Sequence, residues 1–333
     1  MVRSSKYKSI VQPADYATSG VTRITYRSRD HMNGLPIEES ETVQLGPGVA
    51  EFLSRQVCGR DIVVVELKLV PKFAGHVVPD GNWVVLMLPL RWRSSYLFNG
   101  FEARPFDLFL ATGRDGYATS GKDRLTVAVG IRKTKLIEVC SALAGVGPED
   151  VTLKDLVLPL GFEVGNNMQH MLLSVLDQPY EITLGEGRHA MPEPVENDLI
   201  SNLVTLLLPY MCSIPDRSIL RPDALRIVRA AETAASQAAF DLSLDDLCRA
   251  AGVSQSWLYK SFMDVYGASP IRYLRLWRLS KARDKFLDPV VSPTSVKCIA
   301  LSFGYLNSGR FAADYHSVFR ENPSDTLRRT KRT

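Results

Sequence analysis

The chain has 333 residues, long enough for two domains of ordinary size. It is 45% hydrophobic and 23% charged with a net charge of +4, a composition that excludes a disordered or low-complexity chain. The longest apolar runs, Trp83–Leu88 and Leu203–Leu208, are far short of the ~20 residues that cross a bilayer, and the N-terminus lacks the apolar core of a secretory signal. Five scattered cysteines without a C-x-x-C pair argue against a disulfide framework or a zinc ribbon, and a reducing, cytoplasmic setting is expected. Charge is unevenly placed. From Arg221 onward there are 18 Lys and Arg against 11 Asp and Glu, whereas the first 220 residues hold 22 against 25. A basic segment joined to a slightly acidic one suggests a polyanionic partner, or simply a solvated helical surface.

In chain order, Thr42–Arg132 reads as short strands: Asp61–Val70, Trp83–Leu88, Ser95–Phe98, Phe106–Ala111 and Leu125–Ile131. Turn residues separate them at Pro79-Asp80-Gly81, Asn99-Gly100, Gly113 and Gly121, with Asn99-Gly100 the clearest hairpin. Such spacing predicts a small antiparallel barrel or sandwich. Helices are expected at Thr134–Leu143, Gly165–Leu176 and Val195–Leu208. The last lies between Pro194 and Pro209, with Leu199, Leu203, Leu206 and Leu207 on one side. That stripe packs on its own barrel or, less expectedly, forms a dimer seam.

The barrel shows no catalytic constellation. His31, His76, His170, His189 and His316 form no H-x-H or H-x-x-x-H pair, so neither a metal nor another cofactor is expected, and the chain is not expected to be an enzyme. No nucleophile elbow, phosphate loop or dinucleotide fingerprint is present. The alternative is a metabolite-processing barrel enzyme with a basic targeting or autoregulatory domain. A barrel without ligating residues can still enclose a small molecule. Trp83, Trp92, Tyr96, Phe98, Phe109 and Tyr117 supply aromatic surface for such an effector, with Trp83, Trp92 and Phe109 the candidates for touching it, and Arg91 and Arg93 supply charge. For each of these residues a core or surface role is the plainer reading.

The last third is more specific. Ser243 can cap Leu244–Ala251 with Asp246 three residues on, and Gly252 can end that helix in the left-handed region. Ser254 can cap a second helix with Leu258, Phe262 and Val265 inward and Gln255, Ser256, Tyr259, Lys260 and Met263 outward. This is a helix-turn-helix. It recurs: Leu244, Leu247 and Gly252 are matched 52 residues later by Val296, Ile299 and Gly304, and Leu258, Phe262 and Pro270 are matched 53 residues later by Phe311, Tyr315 and Pro323. One extra residue in the second turn reconciles the offsets. Between the copies, Pro270–Leu287 reads as a helix carrying Arg272, Arg275, Arg278, Lys281, Arg283 and Lys285, a strut that can lie along phosphates.

Ser254, Leu258, Lys260 and Phe262, then Gly267-x-Ser269-Pro270, Tyr273-Leu274-Arg275, Arg278-Leu279 and Ala282-Arg283, resemble the DNA-binding domain of the AraC/XylS transcription regulators. The resemblance continues through Ile299-Ala300, Gly304-Tyr305, Arg310-Phe311, Phe319 and Pro323 and covers about the last 105 residues. It implies an α+β chain: a cupin-like antiparallel β-barrel with helices, then an all-α domain. The sensor spans 1–190, a helix and linker that can dimerise 191–221, and the DNA-binding domain 222–330. Within that domain the first helix-turn-helix lies at about 244–265, the linker helix at about 270–287 and the second motif at about 295–319. It further implies a bacterial, dimeric regulator, often an activator, with double-stranded DNA, RNA polymerase and a small-molecule effector as partners. By position, Ser256 and Lys260 would read the first half-site, flanked by Gln255, Trp257 and Tyr259. Ser308, Gly309 and Ala313 would face the second, with Asn307 beside them and Arg310 on phosphate. Many relatives carry arginine at the positions of Ser256, Lys260 and Ala313, so this chain is expected to read its site differently.

Overall fold

Residues 21–25, 36–112, 116–178, 183–184, 188–212, 222–238, 242–288 and 295–330 are described by a computed structural model. The strands are β1 (Val21–Thr25), β2 (Ile37–Gln44), β3 (Glu51–Cys58), β4 (Ile62–Pro79), β5 (Trp83–Phe98), β6 (Phe101–Glu102), β7 (Asp107–Ala111), β8 (Tyr117–Arg132), β9 (Leu156–Pro159), β10 (Thr183–Leu184) and β11 (Arg188–Ala190). They form one sheet in the order β10-β11-β3-β4-β8-β5-β7-β9, with β1 on β3, β2 on β4 and β6 on β5. Every pairing is antiparallel except β11 on β3. Among the described residues no pairing joins β9 to β10.

Two expected breaks are absent. Trp83–Leu88 and Ser95–Phe98 belong to one strand, because register shifts between Pro89 and Tyr96 absorb a proline that has no donor for the ladder. Gly121 is no turn but lies within β8, where a Cβ would come within 2.5 Å of the Tyr96 ring. The Asn99-Gly100 turn does connect β5 to β6, with both residues at positive φ (47° and 80°). Gly113 and His31 lie outside the described residues.

Strand alternation gives the sheet two faces, and this division organises the molecule. On one face Val64, Val84, Leu86, Val127, Val129 and Ile131 pack under α1 (Lys133–Ala144), α2 (Gly161–Asp177) and α3 (Glu193–Cys212). Leu199, Leu203 and Leu207 of α3 are buried there, so the leucine stripe is used within the chain. α3 also runs past its expected end. Pro194 sits in the first turn, where a missing N–H costs nothing, and Pro209 falls in the last, where few backbone bonds remain to be lost.

The C-terminal residues form α4 (Pro222–Gln237), α5 (Leu244–Ala251), α6 (Gln255–Tyr266), α7 (Pro270–Leu287), α8 (Val296–Ser302), α9 (Ser308–Phe319) and α10 (Pro323–Thr330). Their core is aromatic, with Phe262, Tyr273, Phe286, Phe311, Tyr315 and Phe319 all buried. The same cluster takes in Val43, Leu45, Ala74 and Ala118 from the sheet. No helix among the described residues is long and apolar enough to cross a membrane.

Candidate nucleic-acid interface

The first helix pair begins with a reciprocal cap. The Ser243 hydroxyl accepts from Asp246 N at 3.2 Å, and the Asp246 carboxylate accepts from Ser243 N at 3.1 Å. Gly252 ends α5 at φ 67°, in the left-handed region that a side chain would strain. α6 then turns Leu258, Phe262 and Val265, all fully buried, toward the core. Its other side presents Gln255, Ser256, Trp257, Tyr259, Lys260 and Met263, every one exposed. Trp257 at 58% and Tyr259 at 53% are large aromatic surfaces without an internal reason to face solvent. Lys260 Nζ stands 5.0 Å from the Trp257 ring centroid, a cation–π contact that orients the ammonium. Gln255 Nε2 donates to Asp245 Oδ1 at 2.7 Å, which fastens it to α5.

The second pair repeats this plan. Residues 255–266 of α6 map by the 53-residue offset onto 308–319 of α9. α8 is one residue shorter than α5, and the connection spans 303–307 rather than 252–254, which locates the inserted residue. Asn307 caps α9 by accepting from Arg310 N at 2.9 Å, so its side chain serves the helix end. Ser308, Gly309, Arg310 and Ala313 are exposed, and Leu306 before them is 91% exposed.

Over residues 247–329 the chain matches a family described as a helix-turn-helix domain. The XylDLEGF operon transcriptional activator 3 of Pseudomonas putida is 33% identical over 150 residues, 44% of this chain and 44% of that protein. The probable thc operon regulatory protein of Rhodococcus erythropolis is 36% identical over 87 residues, 26% of each. The solved structure of a probable AraC family transcriptional regulator from Rhodopseudomonas palustris is 33% identical and covers 31% of this chain and 96% of that one, with a TM-score of 0.29. The chain spans about half the length, or less, of the curated P. putida relatives that it matches. Residues 247–329 are an AraC/XylS-type helix-turn-helix domain.

The strut of the AraC/XylS-type domain corrects one expectation. α7 is as long as expected, with Ser269 capping it and Pro270 in its first turn, but most of its cations are used internally. Lys281 Nζ pairs with Glu41 of β2 at 2.5 Å, and Arg272 donates to the Leu45 carbonyl at 3.3 Å. Arg283, 4% exposed, pairs with Glu321 at 2.7 Å and lies 4.5 Å from the Phe319 ring. Arg278 stands over Tyr305 at 5.4 Å. Arg275 and Lys285 remain exposed. The apolar spacing of α7 fixed its helical form, but its partners come from 41, 45 and 321, too distant in sequence to be read from the helix itself.

The AraC/XylS-type domain is also seated on the sheet. Ser120 Oγ of β8 donates to the Tyr266 carbonyl at the end of α6 at 2.7 Å. Gln44 Nε2 and Gly48 N both donate to the Val318 carbonyl near the end of α9, at 3.2 and 3.0 Å. α6 and α9 are therefore each held to the N-terminal residues at their C-terminal ends. Arg229 of α4 adds a pair with Glu39 at 3.3 Å. Beneath lies a buried polar cluster in which Glu232 accepts from Tyr273 at 2.6 Å and Tyr266 at 3.0 Å. Burial raises the Glu232 carboxyl to about 7, and the nearby Glu41 pushes the same way. His76 is likewise buried and held neutral, its value lowered to about 3 by burial and by Arg229.

On the strands that seat this domain, the alternate residues line a cavity of ≈ 100 Å³. Glu41, Val43 and Ser120 face the helices, whereas Thr42 and Thr119 face the cavity. A single layer of sheet thus separates the cavity from both recognition helices. The cavity is lined mainly by apolar residues, with Arg124 at one wall. Of the aromatic candidates Tyr96 and Tyr117 line it, whereas Trp83, Trp92, Phe98 and Phe109 do not. Trp83 packs with Cys58, Val63 and Val65 under the Arg132 guanidinium, Trp92 leans on Tyr96, and Phe109 is fully buried in a stack with Phe98. Arg91 and Arg93 face solvent. The charged residue inside is Arg124, which sequence reasoning passed over. Its signal was phase, since Arg124 alternates with the small Thr126, Ala128 and Gly130 while Val127, Val129 and Ile131 occupy the other face. No cluster of three His, Cys, Asp or Glu able to hold a metal occurs among the described residues.

Proposed function

We propose that this chain is a sequence-specific DNA-binding regulator of transcription, acting most often as an activator, in which residues 1–190 sense a small molecule, 191–221 connect, and 222–330 bind DNA. The observation that carries the reading is the pair of twelve-residue helices α6 and α9. They repeat at a 53-residue offset, are capped alike, and turn outward faces that the core does not use. Two such helices on one strut enter successive major grooves about one helical turn apart (~34 Å) on one side of the duplex. Ser256 and Lys260 read bases in the first groove. Trp257 and Tyr259 lie along its wall, and Gln255, tied to Asp245, stiffens the start of the helix. In the second groove Ser308 and Gly309 approach the edges, Asn307 holds the helix end and Arg310 meets phosphate. The partners of such a regulator are double-stranded DNA, RNA polymerase and a second copy of the chain, in the cytoplasm of a bacterium. An effector in the cavity acts through the intervening sheet on the contacts at Tyr266 and Val318, changing how the two readers are presented.

Lys260→Ala is expected to weaken binding to a selected site by 1–3 kcal/mol, about 5- to 150-fold. Arg310→Ala is expected to weaken selected and random duplexes alike and to reduce the salt slope by about one. Titration of each variant against both duplexes at two salt concentrations separates the roles. Equal losses on both duplexes for Lys260→Ala would remove its base-reading assignment.

A further inference from the structure

Across three neighbouring strands the sheet sets cations side by side. Lys72 of β4 is the register partner of Lys122 of β8, and Lys122 is the partner of Arg93 of β5. Like charges directly opposite one another weaken a ladder. Lys122 is paired on both sides, so guarding a sheet edge does not explain it. Among the described residues Lys72 and Lys122 make no ion pair, and Arg93 meets only Asp123, at 3.7 Å. Arg272 of α7 adds a fourth cation: burial and this neighbour together lower the basicity of Lys72.

The backbone is distorted at the same place. Between Pro89 and Tyr96 the register of β5 on β8 shifts three times. Ser94 (φ 65°) and Asp123 (φ 47°) take the left-handed region without being glycine. Such bulges cost energy and re-aim side chains, and Arg91 and Arg93 are exposed here. The row also joins the proposed DNA-binding surface. A Cβ on Gly267 would stand 3.2 Å from Lys72 Nζ, which puts this ammonium at the C-terminal end of α6. The Gly267 N–H donates to the Met263 carbonyl, and Met263 is the last exposed residue on the outward side of α6. The negative end of the α6 dipole accounts for one cation at that spot, but not for Lys122 and Arg93 beyond it.

We propose that Lys72, Lys122 and Arg93 form a phosphate-binding ridge on the N-terminal sheet, which holds the DNA backbone beside the groove that α6 enters. Three strands at a spacing of about 4.8 Å make the ridge about 10 Å long, which suits a run of phosphates better than one small anion. Such contacts read no bases. They add affinity and fix the approach of the two readers. The inference rests on the DNA-binding reading and enlarges the surface that meets the duplex.

The double variant Lys122→Gln with Arg93→Gln, in the full chain, tests it by titration against selected and random duplexes at several salt concentrations. Each phosphate contact contributes about 0.9 to the slope of log affinity against log salt, so the slope is expected to fall by about 1.8 on both duplexes. Affinity at about 0.1 M salt is expected to fall at least tenfold on both. Lysine acetylation of the parent chain, read by mass spectrometry, needs no variant. Duplex is expected to protect Lys122 as it protects Lys260, and vesicles of anionic phosphatidylserine to leave Lys122 reactive. Either readout decides alone if the variant fails to fold or Lys122 fails to react in the free chain. An unchanged slope in the folded variant, Lys122 reactive while Lys260 is protected, or protection by vesicles instead of duplex would overturn the ridge and leave the DNA-binding reading intact. A parent chain that binds no duplex would refute the DNA-binding reading itself, and the ridge with it.

Discussion

Glu321→Ala is expected to destabilise the C-terminal domain by about 3 kcal/mol, because it breaks the ion pair that the buried Arg283 guanidinium makes at 2.7 Å. Arg283 reaches out from the second half of the strut, and Glu321 follows α9, so this pair fixes the second recognition helix to the bar that sets its distance from the first. Glu321 also accepts from Arg329 Nη1 at 3.0 Å, which ties α10 to the same point. Removing both charges with residues of similar volume, Arg283→Met with Glu321→Leu, is expected to recover most of the loss, since a buried ion pair is often replaced by packed apolar residues at little cost. Urea unfolding of the two variants and the parent reads the difference. A single substitution costing less than 1 kcal/mol would show that the pair is open to water and does not set the geometry.

The second large effect depends on pH. Glu232 titrates near 7 in the fold and near 4.5 when unfolded, a difference on the order of 3 kcal/mol. Between those values the folded chain holds a proton that the unfolded chain has released, so the Glu232 contribution is present below about pH 4.5 and is lost as pH rises to about 7. His76 works the other way. Its folded value near 3 lies below its unfolded value of 6.5, so its contribution grows as pH rises through that interval. Glu232→Gln keeps an acceptor for Tyr266 and Tyr273, leaves His76, Arg229 and Glu41 in place, and removes only the ionisation. The stability of Glu232→Gln relative to the parent is therefore expected to improve by on the order of 3 kcal/mol between pH 4.5 and pH 7.5. A relative stability that stays flat over this range would mean that the carboxyl is solvated and that the seat between helices and sheet is open.

Much of the C-terminal domain was legible because its determinants are local. Ser243 with Asp246, Gly252, Ser254 and Pro270 each act within a few residues of the boundary they set, and they set it where expected. The repeat of Leu258 and Phe262 by Phe311 and Tyr315 carried the rest. The sheet was less legible because its strands bend and bulge instead of stopping. Gly121 looks like a turn, and only the Tyr96 ring packed against it, 25 residues away in sequence, explains why β8 continues. The α7 cations were misread for a related reason. A basic helix reads as a phosphate-binding surface until Glu41 and Glu321 are found beside it, and neither position lies in the helix. The cavity was legible in part: Tyr96 and Tyr117 stand among the aromatic candidates and line it, whereas Trp83, Trp92, Phe98 and Phe109, chosen by type, fall outside it, and Arg124 is selected only by strand phase.

In the proposed reading the sheet gives an effector a physical route to the DNA-binding helices. Ser120 and Thr119 are neighbours on β8 that face opposite ways, one bonded to the end of α6 and the other lining the cavity. In the proposed reading, a shift of β8 that accommodates a ligand in the cavity acts directly on the contact between Ser120 and the end of α6. β2 alternates in the same way, with Thr42 lining the cavity and its neighbours Glu41 and Val43 facing the helices, Glu41 paired with Lys281 of α7. Coupling of this kind is a difference in ligand affinity between two arrangements of the same contacts.

Hydroxyl-radical footprinting of the full chain on a selected duplex tests the central claim most directly. Two protected segments, centred about one helical turn apart on the same face of the DNA, are expected, with Lys260→Ala weakening the first and Ser308→Trp the second. A single protected segment, or two segments on opposite faces of the duplex, would contradict the pairing of α6 and α9 on one strut.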